Sequence, residues 1–333
     1  MRNKIIMVVL SVALGVSLVL VGCAKPTPGP EPVDLVFSAG SVGGGWYVQS
    51  AGMGELVKKY APEITITVVP GGGVLNPTRV NAGDADLAWA VIPFTMKAVK
   101  GEDPYDSPHT NVRALGGYFS ALQEHFLAAK GLDFSTIDDM TSFIHDGGAV
   151  KLASSQVGST DEAILRMILA FYDLSYEDIE AAGGKVFFGG YADQVTMYRD
   201  RHVDVTVANL AQPAAATTEA AMARESVILA ASPELLEHLA QYGLILGVIP
   251  GGIYKGIDED VPATVSGCEI VISKDVSEEV AYKIIKILCE NVDVLPQIHS
   301  SLALFEPEEA WEVHGAPLHP GVEKYYKEMG WMP

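Results

Sequence analysis

Short apolar runs alternate with helical hydrophobic patterns in the part of the chain that follows residue 33. Each run has the length of a buried strand, and glycine or proline separates it from the next helical pattern. The order is strand, loop, helix, repeated along the chain. Strands are predicted at residues 34–38, 64–69 and 86–92, with helices between them at 46–60 and 77–82.

The same alternation returns in the middle of the chain. Residues 150–154, 186–188 and 203–208 predict strands, and residues 160–172 predict a helix with one apolar face. Ser159 and Glu162 have the spacing of an N-terminal capping box. Towards the C-terminus we expect a strand at 267–273, a helix at 277–291 and a mostly helical segment at 294–333.

This order of elements predicts an α/β protein. Strands and helices that alternate with short connections form parallel sheets with helices on both faces. A chain of 333 residues exceeds what one core of about 150 residues organises, so two α/β lobes are expected. Ligands of such sheets bind beyond the carboxyl ends of the strands.

The N-terminal segment has the pattern of a bacterial secretion signal. Arg2 and Lys4 precede an apolar run at residues 5–21, and Leu20-Val-Gly-Cys23 resembles a lipobox, in which the cysteine is lipidated. We predict a lipoprotein signal peptide at 1–22 and a lipid anchor on Cys23. A transmembrane anchor is the alternative, although the run has the minimum length for a span. Residues 23–33, with four prolines, form a tether.

Composition excludes several classes of protein. Hydrophobic residues make up 49% of the chain and charged residues 19%, which is too apolar for disorder and too interrupted for a polytopic membrane protein. A formal charge of −20 repels nucleic acid, so no nucleic-acid partner is expected. Cys268 and Cys289 lie in apolar element patterns, which favours two buried thiols over a disulfide.

Three loops rich in glycine or hydroxyl side chains precede predicted helices, at residues 38–45, 70–76 and 154–160. The first N–H groups of a helix have no intrahelical partner, and glycine lets a ligand approach the backbone closely. Three such loops predict a cleft for a small anionic or polar ligand. No arginine lies within them, and Arg79 and Arg166 are the nearest in sequence.

Signatures of common enzymes do not occur in the sequence. It has no P-loop, zinc-protease, nucleophile-elbow or dinucleotide-binding motif, so we expect no catalytic residues, no metal and no cofactor. Two alternatives to a binding protein stay open. One is a surface-anchored enzyme that uses Glu124 and His125 as an acid/base pair, and the other is a passive surface antigen. Adjacent strand residues point to opposite faces, which disfavours the acid/base pair.

Seven short segments between residues 34 and 326 occur in a distinctive order. They are Gly40-Ser-Val-Gly-Gly-Gly-Trp-Tyr47, Val69-Pro-Gly-Gly-Gly-Val74 with Asn76, Ala82-Gly-Asp-Ala-Asp-Leu-Ala88, Val157-Gly-Ser-Thr-Asp-Glu162, Arg201-His-Val-Asp-Val205 with Pro213, Ile253-Tyr-Lys-Gly-Ile-Asp-Glu-Asp-Val-Pro262, and Pro317-Leu-His-Pro-Gly-Val-Glu-Lys-Tyr-Tyr326. In this order they resemble the motifs of the TAXI-type solute-binding proteins, which serve tripartite ATP-independent periplasmic (TRAP) transporters.

The resemblance implies a two-lobed periplasmic-binding-protein fold (type II-like) whose cleft closes over a small solute, often an amino acid or a dicarboxylate. Lobe I would span residues 34–120 and lobe II residues 121–249, and residues 250–333 would return through the hinge and complete lobe I. Hinge strands are expected near 113–118 and 265–272. The resemblance also implies an extracytoplasmic protein, lipid-anchored to the membrane, that delivers its solute to TRAP-type permease subunits.

One segment departs from this family. Its members carry a polar Gln-Ser pair after the third strand, whereas this chain has Trp89-Ala-Val-Ile-Pro93. Either Val91 and Ile92 pack the core, or the solute has an apolar face on which Trp89 and Trp46 stack. The residues expected to bind the solute are Ser41, Gly43, Gly44, Trp46, Tyr47, Gly72, Gly73, Asn76, Trp89, Ser155, Gly158, Ser159, Thr160, Tyr191, Asn209 and Tyr254.

Overall fold

Ten strands pair into one mixed sheet in the computed structural model, which describes residues 31–333. The predicted signal peptide, the lipidation site Cys23 and most of the tether lie outside the described residues. The strands are β1 (Val33–Ser38), β2 (Ile64–Val69), β3 (Leu87–Val91), β4 (Val112–Ala129), β5 (Lys151–Ser154), β6 (Lys185–Phe188), β7 (Val205–Leu210), β8 (Ser226–Ile228), β9 (Ile245–Ile249) and β10 (Val261–Ser273).

Helices connect most of these strands. None of those in residues 31–333 combines the length and the apolar character that a membrane span requires. They are α1 (Gly45–Tyr60), α2 (Leu75–Ala82), α3 (Ile92–Lys100), α4 (Ile137–His145), α5 (Thr160–Phe171), α6 (Tyr176–Ala181), α7 (Tyr191–Arg199), α8 (Ala215–Ala223), α9 (Pro233–Ala240), α10 (Glu278–Glu290), α11 (Leu295–Ile298) and α12 (Pro320–Glu328).

The sheet has two parallel parts joined by two long antiparallel strands. Its order is β2-β1-β3-β10-β4-β7-β5-β6, with β8 beside β4 and β9 beside β10. Strand β1 pairs in parallel with β3, and β5 pairs in parallel with β6 and β7, as the alternation predicts. We name β2-β1-β3 the first half-sheet and β7-β5-β6 the second half-sheet. The expectation of parallel sheets is wrong for β4 and β10, which pair antiparallel with each other and with their neighbours.

Strands β4 and β10 cross from one half-sheet to the other. Residues 112–123 of β4 pair with β10, and its residues 123–128 pair with β7. Strand β10 pairs with β3 through residues 268–272 and with β9 through residues 261–265. The segments predicted as hinge strands therefore lie within β4 and β10, the two strands that stand between the half-sheets in the sheet order.

Two local predictions are wrong. Residues 305–319 form turns without an α-helix, because Pro307, Gly315 and Pro317 interrupt the apolar pattern there. The capping box is half formed: Ser159 Oγ accepts the Glu162 N–H at 3.2 Å, but the Glu162 carboxylate turns away. It pairs with the Arg166 guanidinium at 2.7 Å and accepts the Tyr176 hydroxyl at 3.0 Å.

The two remaining cysteines are buried and unpaired. Cys268 lies on β10 and Cys289 on α10, so the prediction of two buried thiols is confirmed. Burial raises the pKa of the Cys268 thiol to about 12, because the charged thiolate is poorly solvated there. The thiol is therefore protonated and unreactive at neutral pH.

Candidate functional site

A cavity of about 270 Å³ lies where loops from the two half-sheets meet. Its walls come from the loop after β1, the loop after β2, the loop after β5 and the loop after β7, all at carboxyl ends of strands. A histidine from the C-terminal part of the chain, His299, completes the lining. The position is the one that the sequence predicts for a ligand.

The two glycine-rich loops of opposite half-sheets touch each other beside the cavity. The Leu75 N–H donates to the Gly158 carbonyl oxygen at 3.1 Å. A Cβ placed on Gly72 would lie 2.8 Å from the same oxygen, and one placed on Gly73 would overlap Thr160 Oγ1. The backbones therefore approach closely only because residues 72 and 73 have no side chain. This contact brings the two halves of the cavity wall together.

Two helix N-termini border the cavity. Helix α1 begins after Gly44 with no side-chain cap and no acidic residue in its first turn, so the N–H groups of Gly45 and Trp46 are available to an acceptor. Helix α5 begins after Ser159, and its first turn contains Asp161 and Glu162. The two N-termini therefore differ in charge, although the sequence loops before them look alike.

Asp161 lies on the cavity wall and is held by the second half-sheet. Its Oδ1 accepts the Tyr191 hydroxyl at 2.9 Å and the Asn209 backbone N–H at 2.8 Å. Burial raises the pKa of the Asp161 carboxyl to about 6, although these hydrogen bonds favour the charged form. The group is still mostly ionised above pH 7. It is the one carboxylate among the residues that line the cavity.

Glu124 lies behind Asp161, across the sheet from Asn209 on β7. Only 4% of Glu124 is exposed, and neither of its carboxylate oxygens has a hydrogen-bond partner among the described residues. Burial raises the pKa of Glu124 well above its usual value, the Asp161 charge raises it further, and the Asn209 side chain lowers it. We therefore expect Glu124 to be protonated at neutral pH.

The acid/base pair of the enzyme alternative is not assembled. His125 turns away from the Glu124 side of β4, and its Nε2 lies 2.9 Å from the Tyr254 hydroxyl. Burial lowers the pKa of His125 to about 4. Neither Glu124 nor His125 is among the lining residues of the cavity. The two side chains that this alternative requires on one substrate point to opposite faces of β4 and lie outside the cavity lining.

Trp46 lies on the cavity wall and Trp89 behind it. Their rings stack with centroids 5.5 Å apart and an interplanar angle of 6°. Trp89 and Val91 are fully buried, so this segment packs in the core. Of the two interpretations of residues 89–93, the structure therefore favours core packing over an apolar surface for the solute. The apolar part of the wall comes instead from Val48, Leu122 of β4, Leu210, Ala211 and residues 213–216, of which the sequence singled out only Pro213, in a family segment.

The structure brings together ten of the sixteen residues that the sequence suggested. Those that line the cavity are Ser41, Gly43, Gly44, Trp46, Gly72, Gly73, Ser159, Thr160, Tyr191 and Asn209. The others support the wall from behind or lie beside it: Tyr47, Asn76, Trp89, Ser155, Gly158 and Tyr254. Trp89 is fully buried in the core behind Trp46, and direct contact of the other five with a solute stays a prediction.

Several of these supporting residues use their polar atoms within the protein. The Asn76 amide bonds the backbone around β1 and β3, and the Tyr254 hydroxyl accepts the Ala214 N–H at 2.8 Å. The Tyr47 hydroxyl reaches the Val68 carbonyl at 3.5 Å, and Ser155 Oγ accepts from Gln194 at 3.3 Å. Gly158 contributes the carbonyl that bonds Leu75. They shape the loops that form the cavity.

Sequence reasoning missed three polar lining residues, Gln49, Asp161 and His299. Asp161 directly follows two predicted site residues, Ser159 and Thr160, at the predicted start of a helix. This position indicates that Asp161 lies beside the same cavity. His299 carried no signal, because its segment is far away in sequence. Its Nδ1 lies 2.8 Å from Ser301 Oγ, which also accepts from Gln49 of α1 at 2.9 Å.

Solved structures of periplasmic binding proteins share this fold. The periplasmic binding protein BugD is 13% identical, with a TM-score of 0.52 over 91% of this chain and 96% of that one. MatC from Rhodopseudomonas palustris, solved with bound malate, is 14% identical, with a TM-score of 0.54 over 90% of this chain and 97% of that one. At these identities the likeness concerns the fold, and it confirms the two-lobed α/β architecture.

The sequence itself matches one protein family over nearly all of the described region. Residues 37–330 match the NMT1-like family. The match begins in β1 and ends beyond α12, so it includes every loop that lines the cavity. The narrower TAXI type stays a prediction. This chain belongs to the NMT1-like family.

Proposed function

We propose that this chain is an extracytoplasmic solute-binding protein that captures a small polar solute and delivers it to a membrane transporter. The observation that carries the proposal is the cavity of about 270 Å³ formed by loops of both half-sheets. Its size suits a solute of a few carbon atoms, and its wall combines an aromatic ring with backbone N–H groups and a few polar side chains. The fold shared with periplasmic binding proteins supports the same conclusion.

Closure of the two halves over the solute is the proposed mechanism. A solute that contacts both half-sheets binds the closed form more tightly than the open form, so it shifts the population towards closure. Strands β4 and β10 are the proposed pivot, since they cross between the half-sheets. Tyr118 on β4 has a φ of 51°, and the pairing of β10 with β4 shifts register between Cys268 and Val271. Irregular backbone at this point suits a hinge.

The partner and the anchor are the finer parts of the proposal. The seven colinear segments that resemble TAXI-type proteins support a TRAP-type permease as the receiving transporter. The lipobox-like Leu20-Val-Gly-Cys23 and the proline-rich tether support a lipid anchor at the outer face of the cytoplasmic membrane.

Bound solute is expected to stabilise the protein and to remain chemically unchanged. Small molecules released on denaturation would be identified by mass spectrometry and added back to solute-free protein. At a hundred times its Kd, a solute adds about 2.7 kcal/mol to the free energy of unfolding, which raises the melting temperature by roughly 5–10 °C. Solution scattering at saturation is expected to give a smaller radius of gyration, because the halves close.

Three other results would contradict parts of the proposal. An unchanged radius of gyration at saturation rules out closure as the mechanism. Conversion of the solute into a product identifies an enzyme. A protein that releases no small molecule and is stabilised by none of the solutes in a broad metabolite panel fits the passive surface antigen.

Replacing Cys23 with serine is expected to move the protein from the membrane fraction to the soluble fraction. The substitution removes the thiol that carries the lipid, and without acyl chains the chain has no stable membrane attachment. Cys289→Ser is the matched control, because this buried thiol cannot be lipidated, and it should stay in the membrane fraction. A Cys23→Ser protein that is processed normally and still sediments with membranes contradicts the anchor.

A further inference from the structure

The charge of the cavity wall is unusual for a site expected to take a dicarboxylate. Its lining includes one carboxylate, Asp161, and neither lysine nor arginine. Arg166 is paired with Glu162 at 2.7 Å, and Arg79 donates to Ser38 Oγ at 3.0 Å, so both nearest arginines have partners away from the cavity. An anionic group next to Asp161 would meet a like charge with no side-chain cation to offset it.

Asp161 has acceptor capacity left for a solute. Two close hydrogen bonds, from the Tyr191 hydroxyl and the Asn209 N–H, reach its Oδ1, and the Ser155 side chain and the backbone N–H of Asp161 itself also favour its charged form. The residue is only 4% exposed, yet it borders the cavity. A carboxylate can accept about four hydrogen bonds, and only two close ones to neighbouring residues are made at Oδ1, so the group can accept another from a solute.

Unpartnered polar atoms surround this position. The Asn209 side chain lines the cavity, is 2% exposed, and has no hydrogen-bond partner at either its oxygen or its nitrogen within residues 31–333. Glu124, its neighbour across β4 and β7, lies outside the cavity lining and has no close hydrogen bond, although the Asn209 side chain beside it lowers its pKa. Buried polar groups without close partners are rare and costly, so the Asn209 amide on the cavity wall is suited to a hydrogen bond with a solute.

We propose that the solute carries a protonated amine and that this amine binds at Asp161, with Asn209 beside it. An ammonium group has three N–H donors and a positive charge, which match the acceptors and the charge of this position. The Trp46 ring on the opposite wall adds a face that attracts cations. Because the pKa of Glu124 is raised well above its usual value, Glu124 is neutral. The one positive charge of the ammonium group therefore balances the one negative charge of Asp161.

The far end of the solute is less restricted by charge. The N-terminus of α5 already carries Asp161 and Glu162, which satisfy its partial positive charge. The N-terminus of α1 has no such acid, so an acceptor or a carboxylate can bind there. Diamines and amino acids are therefore compatible with the cavity, whereas a dicarboxylate would place one of its carboxylates near Asp161.

Three probes with the same four-carbon chain test this inference, which rests on the proposed function. They are 1,4-diaminobutane, 4-aminobutanoate and butanedioate, measured by thermal shift and titration calorimetry at pH 7.5 against solute-free protein. At least one of the two amines is expected to bind more tightly than butanedioate, by about tenfold or more. Asp161→Asn should weaken binding of that amine by about tenfold or more, because it removes the charge and keeps the shape. Asp193→Asn, on the exposed face of α7, should bind as the wild type does.

The possible outcomes separate this inference from the proposed function. Tighter binding of butanedioate than of either amine overturns the inference and leaves the proposed function standing. Binding of an amine that Asp161→Asn does not weaken overturns it in the same way. If none of the three probes binds, the inference fails, and the proposed function is then decided by the molecule that the purified protein releases. The preference of the wild type needs no variant, so a folding defect of Asp161→Asn leaves the test decisive.

Discussion

Gly72→Val is expected to weaken solute binding by about a hundredfold or more while the protein stays folded. A Cβ at residue 72 would lie 2.8 Å from the Gly158 carbonyl oxygen and 3.3 Å from Ser159 Cα, and both are backbone atoms that cannot rotate away. The two loops would have to separate, which removes the hydrogen bond from Leu75 to Gly158. The free energy that closure contributes to binding is then lost.

Titration calorimetry and solution scattering together check this expectation. The variant should keep the larger radius of gyration even when the solute is added. Gly190→Val is the matched control, because Gly190 also follows a strand in a loop, and the nearest atom to its added Cβ is 3.8 Å away. If Gly72→Val binds and closes like the wild type, contact between these loops has no part in binding.

Asn76→Ala is expected to lower the free energy of unfolding by about 3–4 kcal/mol. The fully buried Asn76 amide links the ends of three strands. Its Nδ2 donates to the carbonyls of Ala39 and Trp89, each at 2.7 Å, and its Oδ1 accepts from Ser38 Oγ at 2.8 Å and from Gly72 N–H at 3.1 Å. Alanine leaves these buried groups without partners, and the cavity loops lose their common support.

Thermal or denaturant unfolding measures the effect as a fall in melting temperature of roughly 6–12 °C. Asn111→Ala is the control, because the Asn111 side chain donates only one hydrogen bond, to Val80 O at 3.3 Å, and is partly exposed. It should lose about 1 kcal/mol or less. Equal losses for the two variants would mean that the Asn76 network contributes no more than an ordinary side-chain hydrogen bond.

Local pattern predicted most elements because their causes are local. Residues 64–69 form the predicted strand, and β7 and α5 lie within two residues of their predicted ends. Apolar runs bounded by glycine and proline, and one-sided apolar helices, carry their signal within a few residues. The turn-rich stretch at 305–319 differs from the predicted helical segment because its prolines interrupt a weak helical pattern.

The glycine and hydroxyl loops of the cavity were likewise readable from the chain, because a loop between a strand and a helix has a local signature. The chemical character of the cavity that those loops surround could not be predicted in this way. Asp161 meets the Asn209 N–H across 48 residues of sequence, and Ile270 of β10 pairs with Trp89 of β3 across an even longer separation. Such pairings depend on the packing of the whole chain, and no short window of sequence contains them. Composition and pattern therefore established an α/β protein with a small-ligand cleft. Only the tertiary structure showed that Trp89 belongs to the core and that β4 and β10 join the two predicted sheets into one. It also showed that Asp161 is the one carboxylate on the cleft wall.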